Sequence, residues 1–305
     1  MNNNFKCDRI YNAILEKKDR IIVIGDLHAD YQKTITLFKR LKLIKETNGK
    51  FIWDAKPLNT VVVQLGDQLD GGGRGIGESY GELEIIDFME NMHKQAFLKG
   101  GGVYSLIGNH EIMNLLGDFR YASNKDIKKQ GGEVLRKELF KPGGDLFNRL
   151  SCTRNVILQV GSFVFTHAGI VPNNIKDVKD SKQFINSINL LMRQFLQGKK
   201  DENDEKIKQY FLEKDTSMIW NRHYGNNEAN CNEVEEVLKT LNIGSMVVGH
   251  TIQPNINSKC DSKLWRVDVG LSSIFDKDDN MSVLEILDDG VKLPRNNFKP
   301  VRVLR

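Results

Sequence analysis

Arg20-Ile21-Ile22-Val23-Ile24-Gly25-Asp26-Leu27-His28 is a β-branched run that ends in a Gly-Asp turn. Such a run favours a buried strand. Behind it, Asp30 stands where a helix cap belongs, and Ile35, Phe38 and Leu41 share one face of the helix that follows. The same grammar recurs twice. Val61 to Leu65 runs into Gly66-Asp67-Gln68-Leu69-Asp70 and a glycine-rich loop, helical spacing covers Leu83 to Phe97, and Val103 to Ile107 leads to Gly108-Asn109-His110-Glu111. This is a βαβαβ start with parallel strands, and the polar strings fall at the carboxyl ends, where open α/β sheets place their sites.

Past Gly143-Gly144 the texture shifts towards strands. Val156 to Val160 and Phe163 to Thr166 flank Gly161-Ser162 as a hairpin, and the second strand ends in Thr166-His167-Ala168-Gly169. A helical stretch with Phe184, Ile188, Leu191, Met192 and Phe195 on one face comes next, readable as core or as a lid. A second helix carries Val234, Val237, Leu238 and Leu241. Strand Ser245 to Val248 then delivers Gly249-His250-Thr251, and Trp265 to Val269 and Met281 to Ile286 close the chain as further strands. The fold class is α/β (α+β): two packed sheets with helices outside, the second mainly antiparallel. Residues 1–19 are expected to form an N-terminal helical extension. Residues 20–305 are read as one catalytic domain with a helical insert around 172–243.

Composition limits the partners. The 305 residues carry 44 basic and 40 acidic side chains, a net charge of +4, with no basic run interleaved with aromatics, so no nucleic-acid stripe is expected. The longest apolar runs are strand-sized, and no membrane association is expected. Cys7, Cys152, Cys231 and Cys260 show no CxxC spacing, which suggests reduced thiols in a soluble, cytoplasmic protein. The glycines of Gly71 to Gly77 fit neither G-x-G-x-x-G nor a P-loop. His93 reads as an ordinary surface or boundary histidine, and Asp268 as either a support for His250 or a turn cap.

Carboxylate, amide and imidazole groups at the ends of core strands suit a dinuclear metal site. Asp67 is the bridging carboxylate in this reading, with Asp26 and His28 on one ion and Asn109, His167 and His250 on the other. His110 follows Asn109 directly, which places its ring beside the ions as a general acid for a leaving oxygen, with Asp70 holding the imidazole charged. Arg74, Arg120 and Arg222 are the candidate clamps for phosphoryl oxygens.

The strings in this order resemble the metallophosphoesterases of phosphoprotein phosphatase type. More narrowly, Gly108-Asn109-His110-Glu111-Ile112-Met113-Asn114-Leu115-Leu116-Gly117-Asp118-Phe119-Arg120-Tyr121, Pro142-Gly143-Gly144 and Val248-Gly249-His250-Thr251 through Cys260 to Trp265-Arg266-Val267-Asp268-Val269-Gly270 resemble the Shewanella-like protein phosphatases, from about Arg20 to Ile286. The resemblance implies the calcineurin-like fold, two mixed sheets flanked by helices. It also implies a metal-dependent phosphomonoesterase acting on a phosphoprotein or phosphopeptide (Ser/Thr or Tyr), with a metal-bridging hydroxide as nucleophile. Two divalent ions are expected, Mn first, with Fe/Zn or Fe/Mn as the other pairs. The alternatives are a dinucleoside polyphosphate hydrolase and a catalytically weakened phosphopeptide-binding protein. Two departures stand out: Ala29 replaces the glycine of GDxHG, and Gly71-Gly72-Gly73 moves the arginine of GDxxDRG three positions along, to Arg74. That arginine either swings back to the phosphate or is lost to it.

Overall fold

The computed structural model describes residues 7, 9–200, 203–226, 229–275, 280–287 and 301–304. In chain order the elements are β1 (Ile14–Leu15), β2 (Arg20–Ile24), α1 (Tyr31–Arg40), the hairpin β3 (Ile44–Thr47) and β4 (Lys50–Trp53), β5 (Val61–Gln64), α2 (Glu82–Phe97) and β6 (Gly102–Ser105). Four helices follow: α3 (Asn109–Leu115), α4 (Asn124–Lys129), α5 (Glu133–Phe140) and α6 (Asp145–Thr153). Then come β7 (Ile157–Val160), β8 (Phe163–Thr166), α7 (Ser181–Leu196), α8 (Glu205–Ile207), α9 (Cys231–Leu241), β9 (Ser245–Val248), β10 (Asn257–Lys259), β11 (Leu264–Arg266), β12 (Val283–Leu287) and β13 (Val301–Leu304).

The first sheet has the order β13-β12-β2-β5-β6. Its parallel centre is in register, with Ile24 beside Gln64 and Gln64 beside Ser105, so three strands end level with one another. That register brings the Gly25-Asp26, Gly66-Asp67 and Gly108-Asn109 turns to one edge. The second sheet has the order β1-β7-β8-β9-β11-β10. It is mixed rather than mainly antiparallel: β8 pairs parallel with β9, the chain returning through α7 to α9, and β9 pairs parallel with β11, the chain returning through β10. Met281 to Ile286 joins the first sheet, where β12 runs antiparallel to β2.

Alternation along β8 shows how the sheets pack. Phe163 and Phe165 face Ile21 to Ile24 and Val61 to Val63 between the sheets, whereas Val164 faces outward onto the helical side with Ile157, Met246 and Val248. Phe165 is fully buried, and truncating it to Ala should cost about 3–5 kcal/mol. The predicted cap is present: Asp30 accepts from Lys33 N at 3.0 Å, while its other oxygen accepts from Ser273 N at 2.8 Å.

Three expectations are corrected. The described residues of 1–19 hold no helix: β1 pairs parallel with β7, because Tyr11 and Ala13 are buried at the sheet edge rather than spaced for a helical face. The cysteines are not reduced. Cys7–Cys152 and Cys231–Cys260 are disulfides across long sequence separations that spacing does not reveal, and the cytoplasmic assignment loses that support. His93 is buried, stacked on Tyr11 with ring centroids 3.8 Å apart. Among the described residues no helix is long and apolar enough to cross a membrane. The α7 helix packs its apolar face into the core against α6 and β7, and the 172–243 segment reaches the main cleft through Trp220 and Arg222 instead.

Candidate metal centre

The three turns of the first sheet are tied to one another by backbone. Leu27 N and His28 N donate to Asp67 O at 3.0 and 2.9 Å, and Glu111 gathers the next two turns by accepting from Asp67 N, Gln68 N and Gly108 N, each at 2.8 Å. Gly108 leaves the room that Asp67 needs, since a Cβ there would stand 2.2 Å from Asp67 Oδ1. His28, Asp67, Asp70 and His250 all take left-handed backbone, with φ of 40°, 54°, 69° and 65°. Strain of this kind in side-chain-bearing residues persists where the surroundings over-determine it, and it clusters at functional sites.

Hydrogen bonds to carbonyls set the tautomers. His167 Nδ1 lies 2.8 Å from Leu65 O and His250 Nε2 lies 3.0 Å from Trp220 O, so each ring spends its N–H on backbone and turns a lone pair inward. His167 Nε2 then stands 2.9 Å from Asn109 Oδ1, 3.1 Å from His250 Nδ1 and 3.4 Å from Asp67 Oδ2. Four acceptor atoms converge on one point without a donor, which is the arrangement a cation satisfies. Burial alone would depress His167, yet the Asp67 carboxylate raises it, so the point demands positive charge from a proton or an ion. Beside it, His28 Nε2 is 4.0 Å from Asp67 Oδ2, and the ligand atoms of His28, Asp67 and His110 form a second group. Asp26 completes the floor. Burial, with the charges of Asp268 and Asp67, pushes its carboxyl well above the usual range, the mark of carboxylates crowded for a shared cation.

His110 faces the same space. Its Nδ1 lies 2.7 Å from Asp70 Oδ2, leaving Nε2 directed at the cleft, 4.0 Å from Asp67 Oδ2. Burial works against its charge, but the Asp67 and Asp70 carboxylates prevail and raise its pKa. Asp70 is itself held from behind: Asn114 Nδ2 donates to its Oδ1 at 3.0 Å, and its N–H donates to Glu82 Oε1 at 3.0 Å. Fully buried Arg136 donates to Glu82 Oε2 at 2.6 Å and to Asn114 Oδ1, which closes the network.

The arginines divide. Arg74 returns to the site: its guanidinium donates to Asp70 O at 2.8 Å, comes within 3.2 Å of His110 Nε2, and lies over the rings of Tyr121 and Phe275 at 4.8 and 5.1 Å. The glycine loop is packed rather than loose. Gly72 N donates to Tyr121 O at 2.8 Å, and a Cβ on Gly73 would meet Arg120 O at 2.0 Å. Arg222 lines the opposite wall, donating to His250 O and Thr251 Oγ1 at 3.2 Å each. Arg120 is not in the site; it is exposed and spent on Asp118 at 2.8 Å. Asp268 caps a turn, accepting from Gly270 N at 2.9 Å, and does not bond His250. The cleft holds about 580 Å³ and adds the aromatic walls Tyr121, Trp220 and Phe275, to which the sequence assigned no role. Glu111 and Arg136 were likewise missed; a glutamate three residues after a helix-opening glycine was the available signal for the first.

A family model for calcineurin-like phosphoesterases matches residues 19–254. The chain belongs to that family, and is therefore a metallophosphoesterase. Among its relatives, Shewanella-like protein phosphatase 2 of Arabidopsis thaliana is 29% identical, with 95% of this chain and 81% of that protein aligned. Shewanella-like protein phosphatase 1 of Plasmodium berghei is 31% identical over 83% of this chain and 67% of its own length. The crystal structure of a cold-active protein-tyrosine phosphatase from a psychrophilic Shewanella covers 97% of this chain and 83% of its own, with a TM-score of 0.75 and 22% identity, a likeness of fold.

Proposed function

We propose that the chain is a metal-dependent phosphomonoesterase acting on phosphorylated side chains of proteins. The observation that carries this reading is the donor-free convergence of Asp67, Asn109, His167 and His250, with the His110–Asp70 pair beside it. Asp67, Asn109, His167 and His250 would hold one divalent ion and Asp26, His28 and Asp67 the other. Manganese suits this oxygen and imidazole set, as do Fe/Zn and Fe/Mn pairs. When bound, two such ions supply hydroxide at neutral pH and offset charge on phosphoryl oxygens.

The protein's own part is positional. His110 carries a proton at Nε2 for the departing ester oxygen, and Asp70 fixes the ring by its other nitrogen. Arg74 and Arg222, on facing walls, orient the non-bridging oxygens. The phosphatase names of the two curated relatives support a phosphoprotein substrate, phosphoserine/threonine or phosphotyrosine. The pairing of His110 with Asp70 speaks against a mere phosphopeptide binder, which has no use for a poised acid.

The test is hydrolysis of p-nitrophenyl phosphate by chelator-stripped protein, with and without Mn²⁺, beside Asp67→Asn, followed by phosphopeptides and diadenosine tetraphosphate. Metal-restored turnover that Asp67→Asn abolishes, with phosphate released from peptides, is the expected result. Turnover of the dinucleotide alone would replace the reading with a dinucleoside polyphosphate hydrolase.

A further inference from the structure

A second cleft, of about 410 Å³, opens where the segment Arg9 to Asn12 crosses the carboxyl end of α2 and β6. It shares no lining residue with the metal cleft. The two are joined by α2, whose 16 residues span roughly 24 Å from Glu82 at the Asp70 network to Phe97 here.

Its walls are aromatic. His93 stacks on Tyr11 and, at 5.8 Å and 19°, on Phe97, while Tyr104 sets its edge against both Tyr11 and His93. Phe97 and Leu98 at the mouth are 60% and 86% exposed. Arg9 engages the Tyr11 hydroxyl, and other polar groups inside are unspent. His93 Nδ1 donates to Val103 O at 2.8 Å, which fixes Nε2 as an acceptor, and that atom and the Tyr104 hydroxyl have no hydrogen-bond partner among the described residues. Burial lowers His93 to about 4 and raises Tyr104 to about 12, so both are neutral near pH 7. Among the described lining residues the charge has one sign: Arg9 and Lys94 line the cleft, and neither has a carboxylate within ion-pair distance among the described residues. The nearby Glu90 is engaged by Arg149 at 3.1 Å.

We infer that this cleft is a binding site for a small planar aromatic acid: a ring system to lie against the Tyr11–His93–Phe97 stack, a ring N–H or O–H for His93 Nε2, and a carboxylate for Arg9 and Lys94. The volume falls in the range of small-molecule sites. Stacking supplies the apolar contact and the two cations the charge match. A neutral or cationic analogue of the same shape meets the same rings without the ionic contacts.

The probe is indole-3-acetate, titrated against the full chain by calorimetry and saturation-transfer NMR, with tryptamine as the cationic analogue and naphthalene-1-acetate as the acid without a ring N–H. Saturable indole-3-acetate binding is expected, with tryptamine at least tenfold weaker and naphthalene-1-acetate several-fold weaker. Arg9 and Lys94 are exposed, so the Arg9→Glu/Lys94→Glu variant should fold, with unchanged p-nitrophenyl phosphate hydrolysis, and lose at least tenfold in affinity. Asp67→Asn should bind as the natural chain does, whatever becomes of its phosphatase activity. Absence of saturable binding, equal binding of tryptamine, or affinity lost in Asp67→Asn and kept in the charge-reversed variant would each overturn the inference.

Discussion

Asp70 Oδ2 and His110 Nδ1 lie 2.7 Å apart, on the side of the imidazole away from the cleft. The carboxylate therefore fixes the direction of the ring and, with Asp67, sustains the charge it carries. Asp70→Asn keeps the shape and removes the charge. It should lower kcat by about 100-fold or more, in the range of a lost general acid. Alkyl phosphates, whose leaving oxygen needs the proton, should suffer more than p-nitrophenyl phosphate; equal loss on both would show that Asp70 does not serve an acid.

Behind Asp70, the Arg136–Glu82 pair is wholly buried. Breaking one partner strands a charge, so Arg136→Met should destabilise the fold by about 3–5 kcal/mol in urea unfolding. Adding Glu82→Gln should recover at least about 1 kcal/mol of that loss, because coupled neighbours do not add. Strict additivity of the two changes would argue that the pair is not coupled.

Arg74 and Arg120 make a matched comparison, since both were candidate clamps and only the first lines the cleft. Arg74→Ala should raise KM and lower kcat/KM by about 10–100-fold, the loss of one charge-assisted contact at about 1.5–3 kcal/mol. Arg120→Ala should leave kinetics within twofold. Steady-state assays on one phosphopeptide read both, and the reverse ranking would reassign the clamp.

Ala29 holds φ at 61°. Left-handed backbone costs an L-residue about 1–2 kcal/mol, while a glycine there loses about 0.4–1 kcal/mol through the unfolded chain. Ala29→Gly should thus be stabilising, by up to about 1 kcal/mol, in a thermal or urea titration. A clear loss of stability would mean that its methyl group packs usefully.

His93 gives a pH signature. Its folded pKa is lowered, chiefly by burial, from 6.5 to about 4. The unfolded chain therefore takes up this proton first, and the stability due to neutral His93 is complete above pH 6.5 and falls away towards pH 4. Between pH 7.5 and 4.5 the unfolding free-energy gap between the natural chain and His93→Asn should shift by about 2–3 kcal/mol against the natural chain. A gap independent of pH would place the imidazole in water.

The donor residues were legible because each follows a β-branched run and a glycine, and parallel register carries such turns to one edge. Asp26, Asp67 and Asn109 could be read from β2, β5 and β6 alone. Arg74 was not legible in the same way: three glycines permit many paths, and the packing of Gly72 and Gly73 against Arg120 to Ser123 selects the one that returns it. Arg136 lies outside every quoted string and acts through Asn114 and Glu82, so only the folded chain reveals it. The short β1 was missed because two residues carry no period, and the disulfides because spacing is silent when partners are 145 and 29 residues apart.

The order of the donors along the chain has a consequence for biosynthesis. Asp26 is made long before His250 and the Asp268 carbonyl that accepts from Gln253 N at 2.9 Å. A nascent chain halted before β9 owns Asp26, His28, Asp67, Asn109 and His167 yet lacks His250, and a proteolytic cut in β9–β11 is expected to open the site from the same side. Unfinished or clipped copies lack the complete ligand set, so metal binding, and any hydrolysis that rests on it, is expected only of a chain that holds both sheets.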